Sequence, residues 1–286
     1  MIYFCDNLKM MSNNALRGEK AIPESARKIS LTDSVDKMTE RLFVDAGIIP
    51  GMHILDVGCG GGDVSLLLTK LVGEEGHVTG IDRDGPSLEI ARERVRKLNL
   101  PNITFVKRDI WAISPELGPF DAAVGRRVIM YLPDPVDAIR KIAATLRPGG
   151  IVAFVEHDTT MVPGRLKPLP LQEQVSGWIR KTIECEGADI HIGFNLPLFF
   201  EKAGLTVEHV RAEAIIQTPK TQYPTVAIIR AMLPRIIQKG VATEEEIDLD
   251  TLEQRLIDER VQAHSIYVSD MVFTIWARKP SPSNKG

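Results

Sequence analysis

The run Ile54-Leu55-Asp56-Val57-Gly58-Cys59-Gly60-Gly61-Gly62 restricts the possible folds more than any other stretch. A short apolar strand passes directly into a glycine turn. A helix follows, with Asp63 placed to cap it and Val64, Leu66, Leu67, Leu68 and Leu71 as its apolar residues. Strand, glycine turn and helix form the opening unit of a nucleotide-binding α/β sheet. The glycines permit positive φ and let a ligand approach the backbone closely.

The glycine spacing discriminates between ligands. A dinucleotide fold requires G-x-G-x-x-G. Here Gly58, Gly60 and Gly62 give G-x-G-x-G, and Asp63 occupies the place of the third dinucleotide glycine. Asp56 lies just before the turn. Two carboxylates repel a pyrophosphate and suit a cationic nucleoside without phosphate. The run D-x-G-x-G-x-G resembles motif I of the class I S-adenosylmethionine-dependent methyltransferases. The cofactor this resemblance implies, S-adenosyl-L-methionine, carries a sulfonium and an ammonium, so the sign of the charge agrees.

Beyond the turn, strand and helix signals alternate. His77–Ile81 reads as a second strand ending at Asp82, and helix Pro86–Leu98 follows. Ile103–Val106 and Phe120–Val124 read as the third and fourth strands. Helix Asp134–Leu146 leads to a fifth strand, Ile151–Val155, which ends at Glu156-His157-Asp158. The alternation predicts a parallel sheet with right-handed crossovers. It breaks at 159. Leu171–Cys185 has an amphipathic helical pattern. Asn195 is placed to cap a helix that stops at Gly204, Thr206–Ala212 reads as a strand, and 221–262 is helical. Thr243 with Glu246 and Asp250 with Glu253 fit capping boxes. Asp270–Ala277 is a last strand.

Two further stretches carry the resemblance. Leu146-Arg147-Pro148-Gly149-Gly150 is similar to the superfamily's turn before the fifth strand. Phe199–Leu205 is similar to its later helix-to-strand junction. The resemblance implies a Rossmann-like, doubly wound, seven-stranded α/β sheet whose last strand is antiparallel, with helical insertions. The expected organisation is an N-terminal helical segment or flap (1–50), a cofactor-binding core (51–158) and a cap insertion (159–193). A core continuation (194–217), a second insertion (218–262) and a final strand with tail (263–286) complete it. The insertions are expected to cap the acceptor pocket. The small-molecule methyltransferases near the ubiquinone and menaquinone group give the best match of pattern.

Ligands of open α/β sheets bind beyond the carboxyl ends of the strands. The cofactor-binding candidates are therefore Asp56, Gly58, Gly60, Gly62, Asp82 with Arg83, Asp109 with Ile110, and Arg126. Asp82 is placed for the ribose hydroxyls, and Asp109 for an adenine amino group with Ile110 against the ring. The substrate-pocket candidates are Arg126, Tyr131, His157 and Trp178. Arg126 either holds an anionic acceptor or anchors its loop. His157 is the catalytic candidate as a general base; the alternative is that it only holds its loop. Glu156 and Asp158 either orient it or face solvent.

Composition narrows the partners. Of 286 residues, 44% are hydrophobic and 26% charged, as in ordinary globular chains. Net charge is -3, without a basic stripe, and the residues after the fourth strand, Gly125-Arg126-Arg127-Val128, lack the Asn/Asp-Pro-Pro-Tyr/Phe run of nucleic-acid amino methyltransferases. The expectation is a small-molecule acceptor, without nucleic acid or membrane, with a homodimer left open. Cys5, Cys59 and Cys185 are scattered and form no metal pattern. Their odd number and the absence of a signal-peptide pattern at the start suggest a cytoplasmic protein, and Met10 and Met11 offer alternative starts. Two other functions stay in view. One is a cofactor-binding scaffold of the same fold without chemistry. The other is a nicotinamide-dependent oxidoreductase, disfavoured by Asp56 and Asp63.

Overall fold

The computed structural model describes residues 31–160, 164–218 and 224–281. The expected N-terminal flap beyond Leu31, with Cys5, lies outside the described residues. Seven strands form one sheet: β1 (His53–Val57), β2 (His77–Asp82), β3 (Ile103–Lys107), β4 (Phe120–Arg126), β5 (Leu146–Asp158), β6 (Thr206–Gln217) and β7 (Tyr267–Arg278). Their order is β3-β2-β1-β4-β5-β7-β6. The first five are parallel, and β7 runs antiparallel between β5 and β6. From β1 the chain winds outward to β2 and β3, then returns to add β4 on the other side. The β1/β4 boundary is therefore the switch point where such sheets bind ligands, and the glycine turn leaves β1 there.

Strand alternation divides the core in two. Ile54, Ala122, Val124, Ile151, Ala153 and Val155 face one side. That side is covered by α1 (Leu31–Asp45), α2 (Asp63–Val72) and α3 (Gly85–Leu98). Leu55, Val57, Ala123, Val152 and Phe154 face the other. That side is covered by α4 (Pro135–Ala144) and α6 (Ile192–Lys202). Helices α5 (Pro170–Cys185), α7 (Thr225–Gln238) and α9 (Leu249–Ala263) pack on one another. They share the second core with Val128, Ile129 and Met130, which follow β4. The short α8 (Glu244–Ile247) joins α7 to α9.

Several boundaries differ from the sequence reading. Strand β5 does not end at Val155. Glu156, His157 and Asp158 remain in the ladder because β7 pairs with them, as far as Met271 opposite Asp158. Strand β6 likewise runs on to Gln217 against β7. Asp63 is the first residue of α2 rather than its cap; Gly62, at φ 86°, holds the cap position. Helix α6 begins at Ile192, and Asn195 lies inside it, its Nδ2 donating to Asp189. The Thr243/Glu246 capping box forms, with both reciprocal bonds made. The Asp250/Glu253 box does not, because α9 starts earlier, after Asp248 in the left-handed region. Helix α5 is capped by α9: Glu259 accepts from the backbone N–H of Leu171 at 2.7 Å and of Gln172 at 2.9 Å. A carboxylate there satisfies two of the amides a helix N-terminus leaves open and suits its dipole.

Candidate active site

Gly58, Gly60 and Gly62 all have positive φ, at 65°, 50° and 86°. Two of them are also tightly packed. A Cβ on Gly58 would lie 2.7 Å from Val128, and one on Gly62 would lie 3.1 Å from Phe105. Gly60 is different, with open space where its Cβ would be. The turn is held from both ends. Its Gly60 N–H donates to Asp82 Oδ2 at 2.9 Å, and Arg94 of α3 donates to the Gly61 carbonyl at 2.5 Å and to Asp63 at 2.7 Å.

Asp82 ends β2 as a buried carboxylate. Its second oxygen accepts from the Asp84 N–H at 2.9 Å. Each carboxylate oxygen still keeps a lone pair for a further donor. Arg83, next to it, is exposed. Asp109 caps a short 3-10 turn by accepting from the Trp111 N–H, and the half-buried Ile110 packs against the core from the same turn. The β2 and β3 ends are joined where the Arg108 N–H donates to the Asp82 carbonyl.

Asp56, Arg126 and His157 lie on the α1 side of the sheet. The Asp56 carboxyl is buried and accepts from Ser65 Oγ at 2.5 Å. Burial pushes its pKa up to about 7, against the opposing pull of Ser65 and Arg126. Arg126 donates to Asp36 of α1 at 2.7 Å and to Thr39 at 3.3 Å, so it ties the N-terminal helix to the end of β4. That is the anchoring alternative. His157 Nδ1 lies 2.9 Å from Asp270 of β7. Its Nε2 is buried and has no hydrogen-bond partner among the described residues.

Glu156 and Asp158 point to the opposite side, because strand residues alternate. They therefore cannot orient His157, and Asp270 takes that position. Glu156 Oε1 accepts from the N–H groups of Val128 at 2.9 Å and Ile129 at 2.7 Å. Burial pushes the Glu156 pKa up to about 7 despite these bonds, the nearby Met130 amide and the charge of Arg127. Tyr131 is also on this side; burial, and less strongly the charge of Glu156, raise its phenol, while Arg127 and Arg235 act the other way. Trp178 of α5 is buried in the same core. The four substrate-pocket candidates are thus split by the sheet, with Tyr131 and Trp178 on the cap side and Arg126 and His157 on the α1 side.

Ser65, Arg94, Asp36 and Asp270 were missed from the sequence. Asp270 is 113 residues from its partner, and Asp36 is 90 from Arg126. No local motif links residues that far apart.

A doubly wound sheet of this order, with an open glycine turn at its switch point and acids at the strand ends, is the architecture of the class I methyltransferases. The chain belongs to the methyltransferase domain family, which matches residues 48–211, more than half of its length. The demethylmenaquinone methyltransferase of Staphylococcus aureus is 33% identical over 124 residues, 43% of this chain and 51% of that protein. The chain thus spans about half the length of that relative. Methyltransferase GfsG of Streptomyces halstedii is 28% identical over 225 residues, 78% of this chain and 77% of that protein. Among solved structures, a methyltransferase fold from Bacillus halodurans superposes with a TM-score of 0.58 at 17% identity, covering 86% of this chain and all of that one. Among the described residues, no helix is long and apolar enough to cross a membrane.

Proposed function

We propose that the protein transfers a methyl group from S-adenosyl-L-methionine to an O, N or C atom of a small-molecule acceptor. The observation that carries this reading is the open face of Gly60 beside the Asp82 carboxylate. A Cβ-free cradle edged by acids suits a cationic nucleoside and repels phosphate. Gly58, Gly60 and Gly62 would admit the cofactor to the backbone. Asp82 would accept from ribose hydroxyls, and Asp109 with Ile110 would receive the adenine. Asp56 acts from behind the turn through Ser65, and Arg126 acts through α1. When bound, the cofactor supplies an activated methyl on a good leaving group.

The chain's own tasks are then to align a nucleophile, exclude water and take up a proton. Helices α5, α7 and α9 are the water-excluding roof in this reading. His157 is the candidate base: Asp270 on Nδ1 favours the tautomer that leaves Nε2 free to accept a proton. The demethylmenaquinone relative supports a small-molecule acceptor. The family match disfavours a scaffold without chemistry.

Calorimetric titration with S-adenosylmethionine and with NADH tests the cofactor. The first is expected to bind and the second not, and the reverse would defeat the reading. Asp82→Ala removes charge-assisted bonds worth roughly 1.5–3 kcal/mol, so affinity should fall about tenfold or more, and the freed Gly60 and Asp84 amides should also lower the melting temperature. Unchanged affinity would remove Asp82 from the site.

A further inference from the structure

The methyl-transfer mechanism above leaves two buried acids unused. Glu156 and Asp158 lie two residues apart on one face of β5, continuing the row of Val152 and Phe154 beneath the cap. Both residues are 0% exposed. Each has one oxygen bound within its own neighbourhood. Glu156 Oε1 takes the Val128 and Ile129 amides, and Asp158 Oδ1 takes the N–H of Thr160 at 3.0 Å and its Oγ1 at 2.6 Å. The other two oxygens, Glu156 Oε2 and Asp158 Oδ2, have no hydrogen-bond partner among the described residues; neither has Thr159 Oγ1. Buried acceptors without donors are a standing cost to a fold, so a persistent pair calls for an explanation.

The surroundings are apolar and closely packed. Phe273 and Met271 of β7 lie opposite Glu156 and Asp158 in the ladder. The Phe273 ring packs so closely on Gly193 that a Cβ there would lie 2.3 Å from it. The connection from α5 to α6 closes over the strand end, where Asp189 N–H donates to the Met130 carbonyl and Thr159 N–H to the Ile190 carbonyl. Two cations approach this side. Arg235 is paired with Glu186, and Arg127 lies close enough to favour ionised Glu156.

We propose that the Glu156–Asp158 row is the polar end of the acceptor site, and that it selects a small molecule presenting hydrogen-bond donors, hydroxyl or ammonium, over one presenting carboxylate or phosphate. This rests on the methyl-transfer reading. Unserved carboxylate oxygens take donors and reject anions, and an apolar enclosure of Phe273, Met271 and Tyr131 strengthens both effects.

The test is equilibrium binding, at pH 8 where Glu156 is ionised, of catechol, tyramine, benzoate and phenyl phosphate to the full chain with S-adenosylhomocysteine present. Catechol or tyramine should bind at least about tenfold more tightly than either anion. Tyramine ahead of catechol would assign an ammonium, and the reverse a hydroxyl. Glu156→Gln keeps the oxygen that serves Val128 and Ile129 and turns the other into a donor; Asp158→Asn does the same at its site. Each should weaken the preferred probe about tenfold and leave S-adenosylhomocysteine affinity unchanged, and if one variant misfolds the other carries the test. Equal binding of an anion, no probe bound by the wild type, or wild-type binding by the folded variants would overturn the proposal. A wild type that binds neither S-adenosylmethionine nor S-adenosylhomocysteine would instead defeat the methyl-transfer reading.

Discussion

The glycine-turn half and the cap half of this molecule handle their acids in opposite ways. Around the turn, each acid has partners supplied by its own element or its neighbour: Asp82 has the Gly60 and Asp84 amides, Asp84 has the Ser87 amide, Asp63 has Arg94, and Asp56 has Ser65. At the far end of β5, Glu156 and Asp158 are fully buried, yet each keeps an oxygen without a donor. Hydrogen bonds within the fold give the first region a fixed shape before any ligand arrives. The second lacks donors that the fold itself does not supply. A pre-formed site for a constant ligand beside an incomplete site for a variable one is what a transferase with one cofactor and one particular acceptor requires.

The sharpest way to break this comparison is to deform the pre-formed half. Gly58→Ala places a methyl group 2.7 Å from Val128 at a backbone angle that alanine rarely adopts. Cofactor affinity is expected to fall by about a hundredfold or more, read by calorimetry in a variant that circular dichroism shows to be folded. Near-normal affinity would mean that the turn's shape is not what binds.

His157 sits at the same strand end as Glu156 and Asp158 but on the α1 side of the sheet. His157→Ala is expected to lower the methyl-transfer rate by about a hundredfold at unchanged cofactor affinity. Asp270→Asn should give a smaller loss, because the imidazole remains but its tautomer is no longer fixed. A rate within a few-fold of wild type for His157→Ala, with a lowered melting temperature, would assign His157 to holding its loop.

The smallest effect concerns stability. Burial raises the Glu156 pKa from an ordinary 4.5 to about 7. Between these values the folded state holds a proton that the unfolded state has lost, so stability falls as pH rises through this window and the full cost is present above it. Glu156→Gln has no such proton. Its stability relative to wild type should therefore rise between pH 5 and pH 8 by roughly 2–3 kcal/mol, at about 1.4 kcal/mol per pKa unit. Parallel pH profiles in chemical denaturation would show that Glu156 does not titrate in this way. Asp56 shifts in the same direction and remains in both proteins, so it cancels in the difference.

The two halves also differ in how far they could be read from sequence. The glycine turn, the strand-end positions of Asp82 and Asp109, and the strand–helix alternation were legible because each rests on neighbours within one strand–turn–helix unit. Spacing along the chain there becomes spacing in space. The antiparallel last strand followed from the family resemblance, and the structure has it between β5 and β6. Residues 156–158 misled for the opposite reason. A Glu-His-Asp triplet reads as three groups at one place, but β7 keeps all three in the ladder, and strand alternation then sends His157 to one side of the sheet and both acids to the other.

The sequence by itself determined the class of fold, the position of the glycine turn and the sign of the charge around it, because these depend on backbone freedom, periodicity and residue type. Only the tertiary structure decided which partner each polar group receives. Asp270 reaches His157, Asp36 reaches Arg126, Glu259 caps α5, and Glu156 is buried against the loop after β4. Each of these pairings joins elements between 27 and 113 residues apart. The packing of the sheet and cap brings them together, and no local propensity encodes it.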